Sequence, residues 1–186
     1  TRLSPDGSRR FGTMNNCANG YTPWGTYLAA EENWYAYFAA LGTDDLNALT
    51  PKEQAWVARY GIGAAWAYRQ WDLVPGDQYA RFSIAPEGAS ATADFRNEAN
   101  AHGYITEVDP FRPAQKPRVR TAFGRFSHEG AWVAPAKAGR PIVIYSGDDS
   151  RREYMYKFVS ATSWDPADEN GGLAAGDKYL DEGTLY

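Results

Sequence analysis

The chain has 186 residues, one cysteine, two histidines and a formal net charge of −4. That length supports a sizeable core, the acidic balance argues against non-specific nucleic-acid binding, which wants a basic stripe, and a single cysteine permits no internal disulfide. No apolar run approaches the roughly 20 residues that span a bilayer, and abundant tyrosine (13), tryptophan (7) and glycine (18) suit a mainly β architecture with many loops.

In chain order, residues 1–14 are polar, with a Pro-Asp-Gly turn at 5–7, and read as a strand end and a loop. Thr1 reads as neither a natural start nor the opening of a secretory leader. Residues 15–25 read as loop, and the apolar run 26–30 leads to Glu31-Glu32. Residues 33–41 are apolar and aromatic and fit either a strand or one helical turn. The clearest helix follows. Thr50 is a good N-cap, Pro51 suits the first helical position, Glu53 completes a capping box and Gly61 can end the helix. Residues 64–75 either extend it or begin a strand, and Pro75-Gly76-Asp77 is a turn. A helical insertion around residues 50–70, about 44–72 with its flanks, is expected outside the sheets, as a rim element or a surface decoration.

Between 78 and 102, Ile84–Gly88 reads as loop and Ala93–Arg96 as helical. From 103 the period switches to that of strands. Gly103–Glu107, Arg118–Phe126, Ala131–Ala134, Pro141–Ser146, Tyr154–Ser160 and Lys178–Tyr186 are candidates, separated by Pro-, Gly- and Asp-rich turns. Short antiparallel strands in succession fit four-stranded propeller blades.

Several residues can carry chemistry. Cys17, brought near the acidic pair Glu31-Glu32, would make a mixed site of one thiolate and hard oxygens. The plainer reading is a packed cysteine and a solvated pair. An extended backbone sends Glu31 and Glu32 to opposite faces, so one points into such a site and one away. A strand through 125–129 puts Arg125, Ser127 and Glu129 on one face, where Glu129 can hold a metal and Arg125 can hold phosphate oxygens in a bidentate grip. A polar outer face is the alternative. Asp148 and Asp149 end a β-branched run, either as calcium-type oxygen donors or as an Asp-rich turn. His102 and His128 lack the paired spacing of a zinc site. Neither a Gly-Lys-Ser/Thr phosphate loop nor a Gly-x-Ser-x-Gly elbow occurs.

The segment from Asn15 to Asn33 resembles the cysteine-containing, Glu-Glu-Asn segment of the PhoX-type alkaline phosphatases. Residues 103–111, 124–130, 145–160 and 180–186 resemble later stretches of the same family, in the same order. The resemblance implies a β-propeller, of which residues 1–186 would be one incomplete domain lacking blades at both ends. It implies hydrolysis of small-molecule phosphate monoesters by a cluster of Fe3+ and Ca2+, in the periplasm or outside the cell. Cys17 would then ligate iron and Glu129 the cluster, with Glu31, Glu32, Asp148 and Asp149 as further candidates. Cations that gather phosphate oxygens and offset developing charge need no protein nucleophile.

Two departures stand out. Ser127 occupies a position that is often Lys in related sequences. The Arg-Pro-Glu motif of the family site does not occur in these 186 residues, so this piece alone would hold an incomplete site, open sheet edges and little activity. A non-catalytic calcium-binding propeller or scaffold module is the alternative, and a related esterase or phytase-like hydrolase is a third reading.

Overall fold

The computed structural model describes residues 1–40, 42–65 and 68–186. It divides into two compact units, Thr1–Gly12 with Asn33–His102, and Thr13–Glu32 with Gly103–Tyr186.

The first unit holds three short helices, α1 (Thr43–Asn47), α2 (Pro51–Tyr60) and α3 (Asp77–Ala80). Helix α2 is built by its caps. Thr50 Oγ1 accepts the N–H of Glu53 at 3.3 Å and Glu53 Oε2 accepts the N–H of Thr50 at 2.8 Å. Gly61, at φ +61°, closes the far end. The apolar stretch from 33 forms a 3-10 turn at Trp34–Tyr37, after which Ala39 bridges Ser83; its last residue, Leu41, lies outside the described residues. Of the stretch 64–75, Trp71–Leu73 is a 3-10 turn, while Trp66 and Ala67 lie outside the described residues. Ala93–Arg96 is a turn instead of a helix. The Asp94 side chain takes the N–H groups of Gly88 and Arg96 (2.9 and 3.1 Å), offering the backbone a local alternative to helical bonding. Trp34, Phe38, Phe82 and Ile84 form the buried centre of this unit.

The second unit contains two four-stranded antiparallel sheets. The first runs β1 (Asn16–Tyr21), β2 (Tyr27–Glu31), β3 (Ile105–Val108) and β4 (Arg118–Arg120) in that order; the second runs β5 (Trp132–Val133), β6 (Pro141–Gly147), β7 (Met155–Ser163) and β8 (Gly183–Leu185). Leu28, Ala30 and Ile105 from one sheet and Ile142, Ile144 and Phe158 from the other share a single core with Trp24, Phe123 and Tyr179. The Phe123 and Phe158 rings stack at 4.5 Å.

In this second unit three elements differ from the sequence expectation. Strand β1 occupies part of the expected loop 15–25. Its polar residues pair with β2 through a turn in which Gly25 sits at φ +85° and the Thr22 and Thr26 hydroxyls bond at 2.8 Å. The expected strand Arg118–Phe126 stops at Arg120. That guanidinium turns inward to Glu107 and Asp181 (2.7 and 2.6 Å), and a 3-10 turn follows at Thr121–Phe123. Lys178 does not begin a strand but lies in α4 (Leu173–Leu180), whose Leu173, Tyr179 and Leu180 are buried. None of the described helices is long and apolar enough to cross a membrane.

Candidate metal centre

The β1–β2 ladder carries one extra residue on β1. Asn16 faces Glu31 and Asn19 faces Ala29, so Cys17 and Ala18 occupy a bulge. A bulge re-aims side chains and bends the strand. The N–H of Ala18 donates to the carbonyl of Glu129 at 2.8 Å, which fixes the bulge against the segment before β5. Gly20 permits the close approach further along, since a Cβ there would lie 1.8 Å from the Ala131 carbonyl oxygen.

At the end of β2 next to this bulge the two glutamates part. Glu31 is fully buried, and its carboxylate accepts hydrogen bonds from Thr13 Oγ1 (3.0 Å) and from the N–H groups of Met14, Gly103 and Tyr104 (2.9, 2.8 and 3.3 Å). Glu32 faces the opposite way. One oxygen each from Glu32, Glu129 and Asp149 lie within 4.8 Å of one another. Cys17 is exposed, and its thiol is pushed up from the usual range, chiefly by its hydrogen bond to Glu32, then by partial burial and by the charges of Glu32 and Glu129.

Asp148 and Asp149 also divide. Asp148 is 9% exposed, and its Oδ1 accepts the N–H groups of Ser127 and Ser150 at 3.3 and 3.0 Å, an Asx turn that anchors the β6–β7 loop. Asp149 is exposed and joins the cluster, while its own N–H donates to Ser127 O at 3.1 Å. The signal for this division, Asp followed two residues on by Ser, is present in the sequence but is shared by many ordinary turns.

The expected shared face of Arg125, Ser127 and Glu129 is not formed. Gly124, at φ +80°, opens an irregular segment in which only His128 pairs, with Asp148. Ser127 is buried with its hydroxyl near that of Ser150 (3.4 Å), Glu129 is exposed, and Arg125 is half-buried. Both histidines are fully buried. His128 lies 2.8 Å from Ser146 Oγ and 3.1 Å from Gly124 O, and burial pushes its pKa down to about 4.

The donor set suits cations. Oxygen ligands of calcium stand about 2.3–2.6 Å from the ion, so those on opposite sides of one ion are about 4.6–5.2 Å apart; the spacing of the three carboxylates falls inside that limit. Three anionic groups so placed repel one another without a counter-charge; the Cys17 thiol is not one of the three grouped donors but faces Glu32, and a thiol is a softer ligand of the kind iron accepts.

Fold and cluster together define a mainly β protein with a cation-type site. Over residues 1–186 the chain matches the family model for alkaline phosphatase PhoX. The chain belongs to the PhoX alkaline phosphatase family. Among solved structures it is similar to Pseudomonas fluorescens PhoX in complex with vanadate, a transition state analogue, with 39% identity and a TM-score of 0.74. That match covers 95% of this chain and 26% of the Pseudomonas chain, so the sequence spans about a quarter of that protein's length. No protein with a curated description matches the sequence.

Proposed function

We propose that this chain supplies part of the active site of a PhoX-type phosphomonoesterase that holds Fe3+ and Ca2+. The observation that carries the reading is the convergence of Glu32, Glu129 and Asp149, with the Cys17 thiol facing Glu32. Family membership and the likeness to a phosphatase bound to vanadate support it. The two four-stranded sheets are read as two blades of a propeller.

In this reading Cys17, as thiolate, and Glu32, Glu129 and Asp149 are the metal ligands. Glu31 and Asp148 are assigned to positioning, because their oxygens are taken up by backbone N–H groups. Bound Fe3+ and Ca2+ would supply the positive charge that offsets phosphoryl transfer. Arg125, four residues before Glu129, is assigned to the phosphate oxygens, which a guanidinium meets in bidentate fashion. The carboxylates would hold the cations, and the thiolate would favour iron over calcium at the end of the site next to β1. Arg-Pro-Glu does not occur in the sequence, and this segment by itself is expected to show little activity. The substrates are phosphate monoesters, and the compartment assigned by family is the periplasm or the cell exterior.

The test is elemental analysis and phosphate-ester hydrolysis with the full-length protein that contains this segment. Cys17→Ala and Glu129→Ala are expected to lose iron and to drop turnover of 4-nitrophenyl phosphate by at least ~100-fold. Normal iron content in either variant, or equal turnover of a phosphodiester, overturns the assignment.

A further inference from the structure

The loop after Asp149 carries two arginines with no part in the site described so far. We propose that Arg151 and Arg152 form a cationic rim that captures the phosphate group of the substrate before it reaches the bound cations. The proposal rests on the phosphatase reading and deepens it.

Both side chains are exposed. Among the described residues neither makes a hydrogen bond, an ion pair or a ring contact, although the chain as a whole is acidic. Their loop is tied down. Besides the Asx turn at Asp148, Asp148 N–H donates to Tyr154 O (3.1 Å), Asp149 N–H to Ser127 O (3.1 Å) and Glu153 N–H to Ser150 O (3.0 Å). These bonds fix the start of the arginine pair relative to the segment that bears Glu129. The Cα of Arg151 is two residues from that of Asp149, at most about 7 Å away along the chain.

Arg152 holds φ +71°, a left-handed conformation that side-chain-bearing residues rarely adopt. Such conformations persist where the surrounding structure over-determines them, and they concentrate at ligand clamps. A guanidinium matches phosphate in a fork-like grip, and unpaired cations at the rim of an anion site raise its rate of capture.

The experiment uses the full-length, metal-loaded protein and the double variant Arg151→Ala/Arg152→Gly. Glycine adopts φ +71° freely, so this variant keeps the loop and removes only the cations. The expected result is a roughly tenfold weaker Kd for inorganic phosphate by calorimetry and a similar rise in KM for 4-nitrophenyl phosphate. The salt dependence of kcat/KM weakens, and iron and calcium contents match wild type. Arg151→Lys/Arg152→Lys regains the salt dependence but only part of the affinity, because an ammonium lacks the fork. Phosphate affinity and salt dependence within twofold of wild type in the Ala/Gly variant overturn the rim alone. A wild-type protein that retains neither cations nor phosphate overturns the phosphatase reading, and the rim with it.

Discussion

The backbone N–H of His128 donates to the carbonyl of Glu31 at 2.9 Å, and the next residue on each segment, Glu129 and Glu32, delivers a carboxylate to the cluster. One main-chain bond therefore sets the spacing of two acidic groups that lie far apart in sequence. On the other side of β2, Glu31 gathers the backbone of Thr13–Met14 and of Gly103–Tyr104 onto one carboxylate. The cluster is positioned by the backbone, with Glu31 as its hidden support.

That support is testable. Glu31→Ala leaves the N–H groups of Met14, Gly103 and Tyr104 without their acceptor, while the Thr13 hydroxyl keeps Asn16 Oδ1, and is expected to cost about 3–5 kcal/mol. Urea denaturation monitored by tryptophan fluorescence would show it as a lower midpoint. Glu32→Ala, at the half-buried residue just past the same strand, is expected to change stability by less than ~1 kcal/mol. Equal losses in the two variants would remove the distinction between the glutamates.

Gly20→Ala is expected to destabilise by about 2–4 kcal/mol. Its Cβ would meet the Ala131 carbonyl at 1.8 Å, and that atom is backbone, so β1 must move away. Gly7→Ala, where the Cβ meets no atom within 4 Å but φ is +73°, carries only the conformational cost, about 1 kcal/mol. Thermal melts of the two variants separate steric cost from conformational cost.

The Glu107–Arg120 pair lies in the core, with both side chains at most 1% exposed. Glu107→Ala removes the buried acceptor shared by Arg120, Trp24 Nε1 and Thr26 Oγ1 and leaves the guanidinium only its partly exposed partners Asp177 and Asp181. It is expected to cost about 3–5 kcal/mol, and the double replacement Glu107→Leu/Arg120→Met recovers only part of that loss, because the Trp24 and Thr26 donors stay unpaired. A double-mutant cycle in urea checks it, and a double variant as unstable as the single one refutes it.

Asp94 gives an acid dependence. Burial works against its charge, but hydrogen bonds from Arg96 and Gly88 outweigh it and hold the carboxyl below its usual range. A group with a depressed folded pKa stabilises fully above its unfolded pKa of 3.8 and loses that contribution as pH falls through the lower folded value. Asp94→Asn should therefore destabilise the first unit at pH 7 and flatten its stability profile below about pH 4. Urea titrations at pH 7, 4 and 3 measure it, and an unchanged profile refutes the role of the Asp94–Arg96 pair.

What the sequence made legible follows from where each determinant lies. Helix α2 is written locally, in Thr50, Pro51, Glu53 and Gly61, and every one of those residues acts in its cap. The strand alternation at Glu31-Glu32 is equally local, so the division into an inward and an outward carboxylate could be anticipated. Strand β1 could not, because its residues are polar and mostly exposed, and only pairing with β2 and the close approach at Gly20 make it a strand. The partition between Asp148 and Asp149 was hidden for a similar reason: the N–H of Ser127 that one of them accepts arrives from another part of the chain. The irregular segment 124–128 defeats a period-two reading because Gly124 turns the chain before any alternation can start.

The three carboxylates at positions 32, 129 and 149 come from segments that meet only when the first and second sheets are both paired. If the proposed metal-binding role holds, ion uptake at this cluster would be a late event in the life of the polypeptide, downstream of long-range strand pairing, which is the slow part of folding for topologies of this kind. On that reading a ribosome-bound chain ending before residue 149 would have no complete cluster to load, and the relevant metal supply would be that of the compartment where folding finishes.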